Sequence, residues 1–168
     1  LIHILNALLV YGITTLTLRT SFLKDSFLRH DAKTLSLFSA LLFAIHPLQT
    51  EAVTYIFQRH ASFVTFFYLL TLFFYIQWRL SLQGTGISPI YKGALYGLSL
   101  LSALLAMKTK ENAFTLPVIL ILFELFFLDG PIKIRLVRLI PFFLTAFLIP
   151  LSIVGMENPV EKIINHAL

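Results

Sequence analysis

The chain has 168 residues, of which 58% are hydrophobic and only 12% are charged, and its formal net charge is +5. A soluble domain is typically about half apolar and about a quarter charged, so this composition indicates a membrane protein. The basic residues lie in short scattered segments, which argues against nucleic-acid binding, and the lack of cysteine excludes disulfides, thiol nucleophiles and cysteine metal sites.

Six apolar windows with almost no charged residues follow one another along the chain. A helix needs roughly 20 residues to cross a hydrocarbon core of about 30 Å. The windows are residues 1–18, 34–50, 60–78, 90–107, 112–128 and 139–156. They predict an all-α, polytopic transmembrane helix bundle of about six spans, which forms one domain over residues 1–168. Because Leu1 already lies in an apolar run with no leader before it, we expect the chain to be an excerpt of a longer protein.

The basic residues between the windows predict an orientation. Nine of them follow the first, third and fifth windows when Lys92, at the start of the fourth, is included, against four on the other side. The nine are Arg19, Lys24, Arg29, Lys33, Arg79, Lys92, Lys133, Arg135 and Arg138. Since the cytoplasmic side of short loops carries the excess of Lys and Arg, the side with nine is predicted to face the cytoplasm. The polar segments HPLQTE (46–51), KTKEN (108–112) and ENPVEK (157–162) then lie together on the extracytoplasmic side.

The segment HPLQTE interrupts the apolar pattern. Pro47 has a fixed φ and no amide hydrogen, so it predicts a break at His46 and the start of a new helix. Glu51 would lie near the positive end of that helix dipole, and Arg59, about two turns later, would share its face. Two interpretations stay open: Arg59 contributes to a polar site, or it snorkels to the lipid headgroups.

The segment KTKEN also has two interpretations. Lys110 and Glu111 form a surface ion pair of small energetic value, or the lysines join Arg59 in a cluster suited to a lipid-linked phosphate. The second interpretation requires the two segments to lie close together.

Three polar residues lie inside apolar windows. Glu124 faces protein or snorkels to the nearby interface, because a carboxylate within a membrane helix is costly. His3 and Asn6 share one face of the first window, and we expect them to form hydrogen bonds with a neighbouring helix.

HPLQTEAVTYIFQR (46–59) and TKENAFTLPVILILFE (109–124) together resemble the bacterial relatives of the transmembrane and tetratricopeptide-repeat O-mannosyltransferases. This family belongs to the glycosyltransferase C superfamily. HILNALLVY (3–11) is similar to the second membrane helix of the family. The resemblance covers nearly the whole chain and implies a partial membrane domain of this type.

The resemblance implies an enzyme that transfers a mannose-like sugar from a polyprenyl-phosphate donor to a protein acceptor on the extracytoplasmic face. It implies a bacterial inner-membrane location, with the motif loops facing the periplasm or exterior. The main acidic catalytic residue is expected in a loop upstream of Leu1, and a tetratricopeptide-repeat domain is expected downstream. The partners are therefore the lipid bilayer, the donor and the acceptor, without nucleic acid, and neither a metal nor another cofactor is predicted.

Matching the two motifs residue by residue carries over a set of candidate site residues. Arg59 and Lys110 are predicted to stabilise the departing phosphate. Glu51 and Glu111 are predicted to orient these cations or to hold hydroxyl groups of the sugar or acceptor. The complete substrate-binding set is Glu51, Arg59, Lys110, Glu111, His46 and Thr50, with structural roles for Pro47 and Pro117.

Two other functions remain open at the level of the sequence. Broken helices with polar residues also build small-molecule transporters, although these require ionisable groups near the bilayer midplane. A non-catalytic membrane anchor of a tetratricopeptide-repeat protein would tolerate substitutions in both motifs.

Overall fold

The structure is a computed structural model that describes residues 1–23, 25–46, 59–84 and 86–146, with only the backbone described for Arg59, His60 and Glu111. Within those ranges the regular structure is helical without strands, as predicted. Its α-helices are α1 (Ile2–Leu18), α2 (Ala32–Ile45), α3 (Arg59–Gln83), α4 (Pro89–Thr109), α5 (Leu116–Phe127) and α6 (Ile132–Ala146). Short 3₁₀ turns cover Ser21–Leu23, Phe27–Arg29 and Glu111–Thr115.

Prolines and glycines mark where several helices begin and end. Pro89 lies in the first turn of α4 and Pro117 in the first turn of α5, where a missing amide hydrogen sacrifices no helical hydrogen bond. Gly86 and Gly130 have positive φ angles of 85° and 127° in the connections before α4 and α6, a backbone conformation that glycine adopts without strain.

Two helices extend past the charged residues that bound the apolar windows. α3 continues through Arg79 to Gln83, and α6 begins at Ile132, so Arg135 is helical and does not belong to a loop. The third window stops before Arg79 and the sixth begins after Arg138, because the windows were defined by the absence of charge. Arginine is nevertheless a good helix former. Residues 47–50 and 147–156, which end the second and sixth windows, lie outside the described residues.

The central helix is α3, which packs against α1 on one side and α4 on the other. α6 packs against α4 and α5, and α2 packs against α1. Small residues of α4 are buried in the bundle, and small side chains allow helices to approach closely. Ser99 Oγ donates a hydrogen bond to the Thr71 carbonyl oxygen at 3.0 Å, and Ala103 and Ala106 are fully buried.

Hydrogen bonds between helices fix which helix ends lie together. Nε2 of His3 donates to the Ala44 carbonyl oxygen at 2.9 Å, and Nδ2 of Asn6 donates to that of Ser62 at 3.2 Å. The expectation that these two side chains bond to neighbouring helices is therefore confirmed.

We call the two ends of the bundle by one residue each. The Lys110 end contains the starts of α1, α3 and α5 and the ends of α2, α4 and α6. The Arg79 end contains the opposite termini. At that end Ser21 Oγ, just after α1, donates a hydrogen bond to Oε1 of Gln83, the last residue of α3, at 3.5 Å.

The outer surface of the bundle is rich in large apolar side chains, such as Leu8, Ile45 and Phe126, which are 60%, 73% and 63% exposed. Ala61–Gln83 and Pro89–Thr109 are long and apolar enough to cross a membrane, whereas the other apolar helices of the described ranges are shorter. Only 33% of the most apolar window of each is buried, which is unlike the core helix of a soluble domain. Exposed apolar surface of this extent marks a membrane or protein contact.

Replacing Gly12 by leucine is expected to destabilise the bundle at the crossing of α1 and α3. A Cβ atom at Gly12 would lie 2.7 Å from Cε2 of Phe73, so the ring must move even for alanine. Overpacking of this kind typically costs about 1–3 kcal/mol. Thermal unfolding of the protein in detergent measures the effect.

The matched control is Gly97→Leu, because a Cβ atom on this helical glycine of α4 has no neighbour within 4 Å. It should leave the melting temperature unchanged or raise it, since leucine favours helix over glycine by roughly 1 kcal/mol. Equal melting temperatures for the two variants would contradict the close contact between α1 and α3.

Candidate functional site

A buried carboxylate joins three helices at the Arg79 end. Glu124 of α5 is 1% exposed. Its Oε1 accepts hydrogen bonds from Nε of Arg79 at 2.6 Å and from the hydroxyl of Tyr75 at 2.5 Å. Its Oε2 accepts from Nη2 of Arg79 at 3.1 Å and from Nε of Arg135 at 3.2 Å. These four residues are the Glu124 cluster.

The hydrogen bonds of the Glu124 cluster indicate a structural role. The pairing with Arg79 uses two hydrogen bonds, and Nη2 of Arg79 also donates to the Asp129 carbonyl oxygen at 3.3 Å. Nη2 of Arg135 is buried without a hydrogen-bond partner in the described part of the chain. Because both carboxylate oxygens are occupied, Glu124 is not available to a substrate.

Of the two interpretations of Glu124, the one in which it faces protein is confirmed, and snorkelling is wrong. The assignment of Arg79 and Arg135 to cytoplasmic connections also needs correction, because they are helical and 4% and 9% exposed. Burying a carboxylate is costly unless a cation pairs with it. The pairing with Glu124 explains why both arginines are buried and do not lie at an interface. The spacing of Tyr75 and Arg79, one helical turn apart on α3, is the sequence signal that indicates a shared polar face.

An open pocket lies at the opposite end, where α3 meets the connection between α4 and α5. Its volume is about 260 Å³. The polar side chains in its wall belong to Thr65 and Tyr68 of α3 and to Lys110 and Asn112 of the connection. Apolar residues complete it, namely Ala61, Val64, Leu69 and Ala113. We call this the Lys110 pocket.

The Lys110 pocket offers hydrogen-bond donors beside apolar walls. Lys110 is exposed and has three N–H donors, and Asn112 has an amide that both donates and accepts. The Tyr68 hydroxyl lies 3.3 Å from Oγ1 of Thr115 and so is held at the pocket wall. An ammonium, an amide and hydroxyl groups are suited to hold a phosphate or sugar hydroxyls.

The structure describes only part of the predicted substrate-binding set. His46 is exposed at the end of α2, at the Lys110 end but outside the Lys110 pocket. Lys110 follows α4, Glu111 opens the next 3₁₀ turn, and α3 begins at Arg59. Pro47, Thr50 and Glu51 lie outside the described residues, as do the side chains of Arg59 and Glu111. The substrate-binding role of the set stays a prediction.

The sequence did not point to Thr65 and Tyr68, because both lie within an apolar window where they resemble ordinary helix and interface residues. Their spacing from Ala61 places all three on one face of α3, which is the pattern that could have found them. Among the described residues, no group of three His, Asp or Glu side chains is arranged to hold a metal ion.

Glu124→Ala is expected to lower the free energy of unfolding strongly. The substitution leaves the guanidinium groups of Arg79 and Arg135 buried without a carboxylate, and breaking a buried ion pair from one side typically costs about 3–5 kcal/mol. Chemical unfolding of the purified protein in detergent measures the change.

Asp129→Asn is the matched control, because Asp129 is an exposed carboxylate at the same end that contributes only its backbone carbonyl to Arg79. It should leave the stability close to that of the native protein. If Glu124→Ala were equally harmless, the cluster would not hold the three helices together.

Comparisons of the chain with known protein families, with curated proteins and with solved structures found no match. A function is therefore inferred from the geometry of the Lys110 pocket and from the resemblance carried by the two motifs.

Proposed function

We propose that the chain is a membrane-embedded segment of a glycosyltransferase with about six spans. It transfers a mannose-like sugar from a polyprenyl-phosphate donor to a protein acceptor on the extracytoplasmic face. The observation that supports this most is the Lys110 pocket, in which Lys110 of the second motif faces residues of α3. Because α3 begins at Arg59 of the first motif, segments distant in sequence meet at one end of the bundle.

The apolar exterior supports a lipid-linked donor. A polyprenyl chain stays in the hydrocarbon region while its phosphate lies at the interface. α3 and α4 are long enough to cross that region, so an end of the bundle lies at the interface. The Lys110 pocket is at such an end, and Lys110 supplies an ammonium group to it opposite α3.

The chemistry assigned to the pocket is stabilisation of the leaving group. As the bond from the sugar to the phosphate breaks, negative charge grows on the phosphate oxygens, and Lys110 and Arg59 stabilise it. Tyr68, Thr65 and Asn112 hold hydroxyl groups of the sugar. The acceptor hydroxyl loses its proton to the acidic residue that the resemblance implies upstream of Leu1.

A transporter is less well supported. The buried ionisable residues Glu124, Arg79 and Arg135 bind one another near the Arg79 end. Ionisable groups that carry a substrate across a membrane line a path near the midplane, whereas this cluster is closed. A non-catalytic anchor is distinguished from the enzyme by the substitutions that follow.

Lys110→Ala and Arg59→Ala are each expected to lower the transfer rate about 100-fold, because one donor to a developing negative charge typically contributes a factor of this order. The measurement is transfer of labelled sugar from a polyprenyl-phosphate donor to protein, in membranes that contain the native protein or a variant.

Lys133→Ala removes the same kind of charge from the opposite end of the bundle, at an exposed position of α6. It should leave transfer unchanged. Normal transfer by both Lys110→Ala and Arg59→Ala, with normal membrane insertion, would identify the chain as an anchor.

Single cysteines are expected to report opposite sides of the membrane at the two ends. The chain has no cysteine, so Asn112→Cys and Asp25→Cys each introduce one thiol, and both positions are exposed. A membrane-impermeant maleimide added to intact cells should label the protein at position 112 only. Labelling at position 25 alone would reverse the proposed orientation.

A further inference from the structure

α1 and α2 leave an open apolar groove on the surface of the bundle. Its volume is about 500 Å³. Small side chains of Ala7, Ala40 and Ala44 line it between larger ones such as Leu8 and Leu41, which are 60% and 51% exposed. The alanines keep the groove open, because a larger residue at these positions would fill it.

A basic pocket of about 610 Å³ adjoins this groove at the Arg79 end. Its cationic side chains belong to Arg19, Arg29 and Lys33, and Asp31 supplies the one carboxylate in its lining. Lys33 and Thr34 line both the groove and the basic pocket. The two spaces therefore adjoin, so that an apolar groove leads to a basic pocket at one end.

The length of the groove matches that of one acyl chain. It runs along α2 from Lys33 to Ala44, a distance of about 16 Å at the helical rise of 1.5 Å per residue. Half of a hydrocarbon core of about 30 Å is about 15 Å. This is the depth that one acyl chain fills, so a chain whose headgroup lies at the basic pocket would follow the groove over most of the length of α2, toward the Lys110 end.

We propose that this composite site binds an anionic glycerophospholipid. One acyl chain lies in the groove between α1 and α2, and the phosphate is bound by Lys33 and Arg19. Arginine and lysine are the residues that recognise phosphate, and basic pockets between membrane helices bind anionic headgroups. A polyprenyl chain is much longer than the groove, so an ordinary phospholipid fits it better.

This site is separate from the one proposed for the sugar donor, because its basic pocket lies at the other end of the bundle and no described residue lines both the composite site and the Lys110 pocket. The inference shares with the proposed function only the insertion of the chain into a membrane. A protein that inserts but shows no lipid preference would refute the phospholipid site and leave the transferase proposal intact. A protein that binds the lipid but transfers no sugar would refute the transferase proposal and leave the phospholipid site intact.

The test is native mass spectrometry of the full-length protein, released from micelles that contain phosphatidylglycerol and phosphatidylcholine with identical acyl chains. We expect one phosphatidylglycerol to remain bound in preference to phosphatidylcholine. Lys33→Gln should lower its retention about fivefold, the factor expected for one basic residue near an anionic headgroup. Lys133→Gln, an exposed lysine at the same end but outside the pocket lining, should not change it.

A second variant tests the groove. Ala7→Leu leaves every cation in place and fills the groove at a position that is not fully buried, so it should also lower phosphatidylglycerol retention. If this variant fails to fold, Lys33→Gln still decides, because Lys33 is exposed.

Four results would overturn the inference: equal retention of the two lipids, unchanged retention in Lys33→Gln, displacement of the lipid by inorganic phosphate, or stronger retention of a polyprenyl phosphate. The third would indicate a site for free phosphate. The fourth would indicate a second site for the sugar donor or its product.

Discussion

The bundle depends on the ion pairs that Glu124 forms with Arg79 and Arg135. In the membrane setting proposed above, apolar side chains gain little by leaving lipid for a neighbouring helix, so packing and hydrogen bonds decide which helices associate. The carboxylate links α5 to α3 and α6 at once. Removing Glu124 alone would leave two arginine cations unpaired in an apolar interior. This costs far more than replacing the whole cluster with apolar residues. The arrangement of these three helices is therefore specified by polar contacts within an apolar sequence.

Because α3 runs the length of the bundle, fixing it at the Arg79 end also positions its residues at the Lys110 end. Arg79 fixes the last turns of α3, while Ser99 and the buried alanines of α4 hold the two helices close along their length. With α3 fixed against α4 and α5, Lys110 lies opposite Thr65 and Tyr68. The position of the Lys110 pocket thus follows from helix contacts elsewhere in the bundle, together with the contact between the Tyr68 hydroxyl and Oγ1 of Thr115.

The sequence predicted the helical class and the hydrogen bonds of His3 and Asn6. It left two interpretations of Glu124 open, and the structure selects the one in which it faces protein. The sequence did not predict that α3 and α6 extend through arginines. An apolar window is defined by the absence of charged residues and does not show whether a nearby charged residue forms an ion pair within the bundle. Of the candidate site, the motif containing Lys110 was predicted, but the opposing residues of α3 were not. Which face of a helix meets its neighbour depends on helix rotation, and a nearly uniform apolar pattern around α3 leaves that rotation unspecified.

The order of Arg79, Glu124 and Arg135 along the chain has a consequence for biogenesis. A ribosome delivers Arg79 first, so the acidic residue of α5 emerges when a cation that can neutralise it already exists in the nascent bundle. Arg135 emerges last and donates to Oε2, which also accepts a hydrogen bond from Arg79. In the membrane setting proposed above, an unpaired ionised group in lipid is costly, so the pairing with Arg79 would favour retention of α5 in the bilayer beside α3.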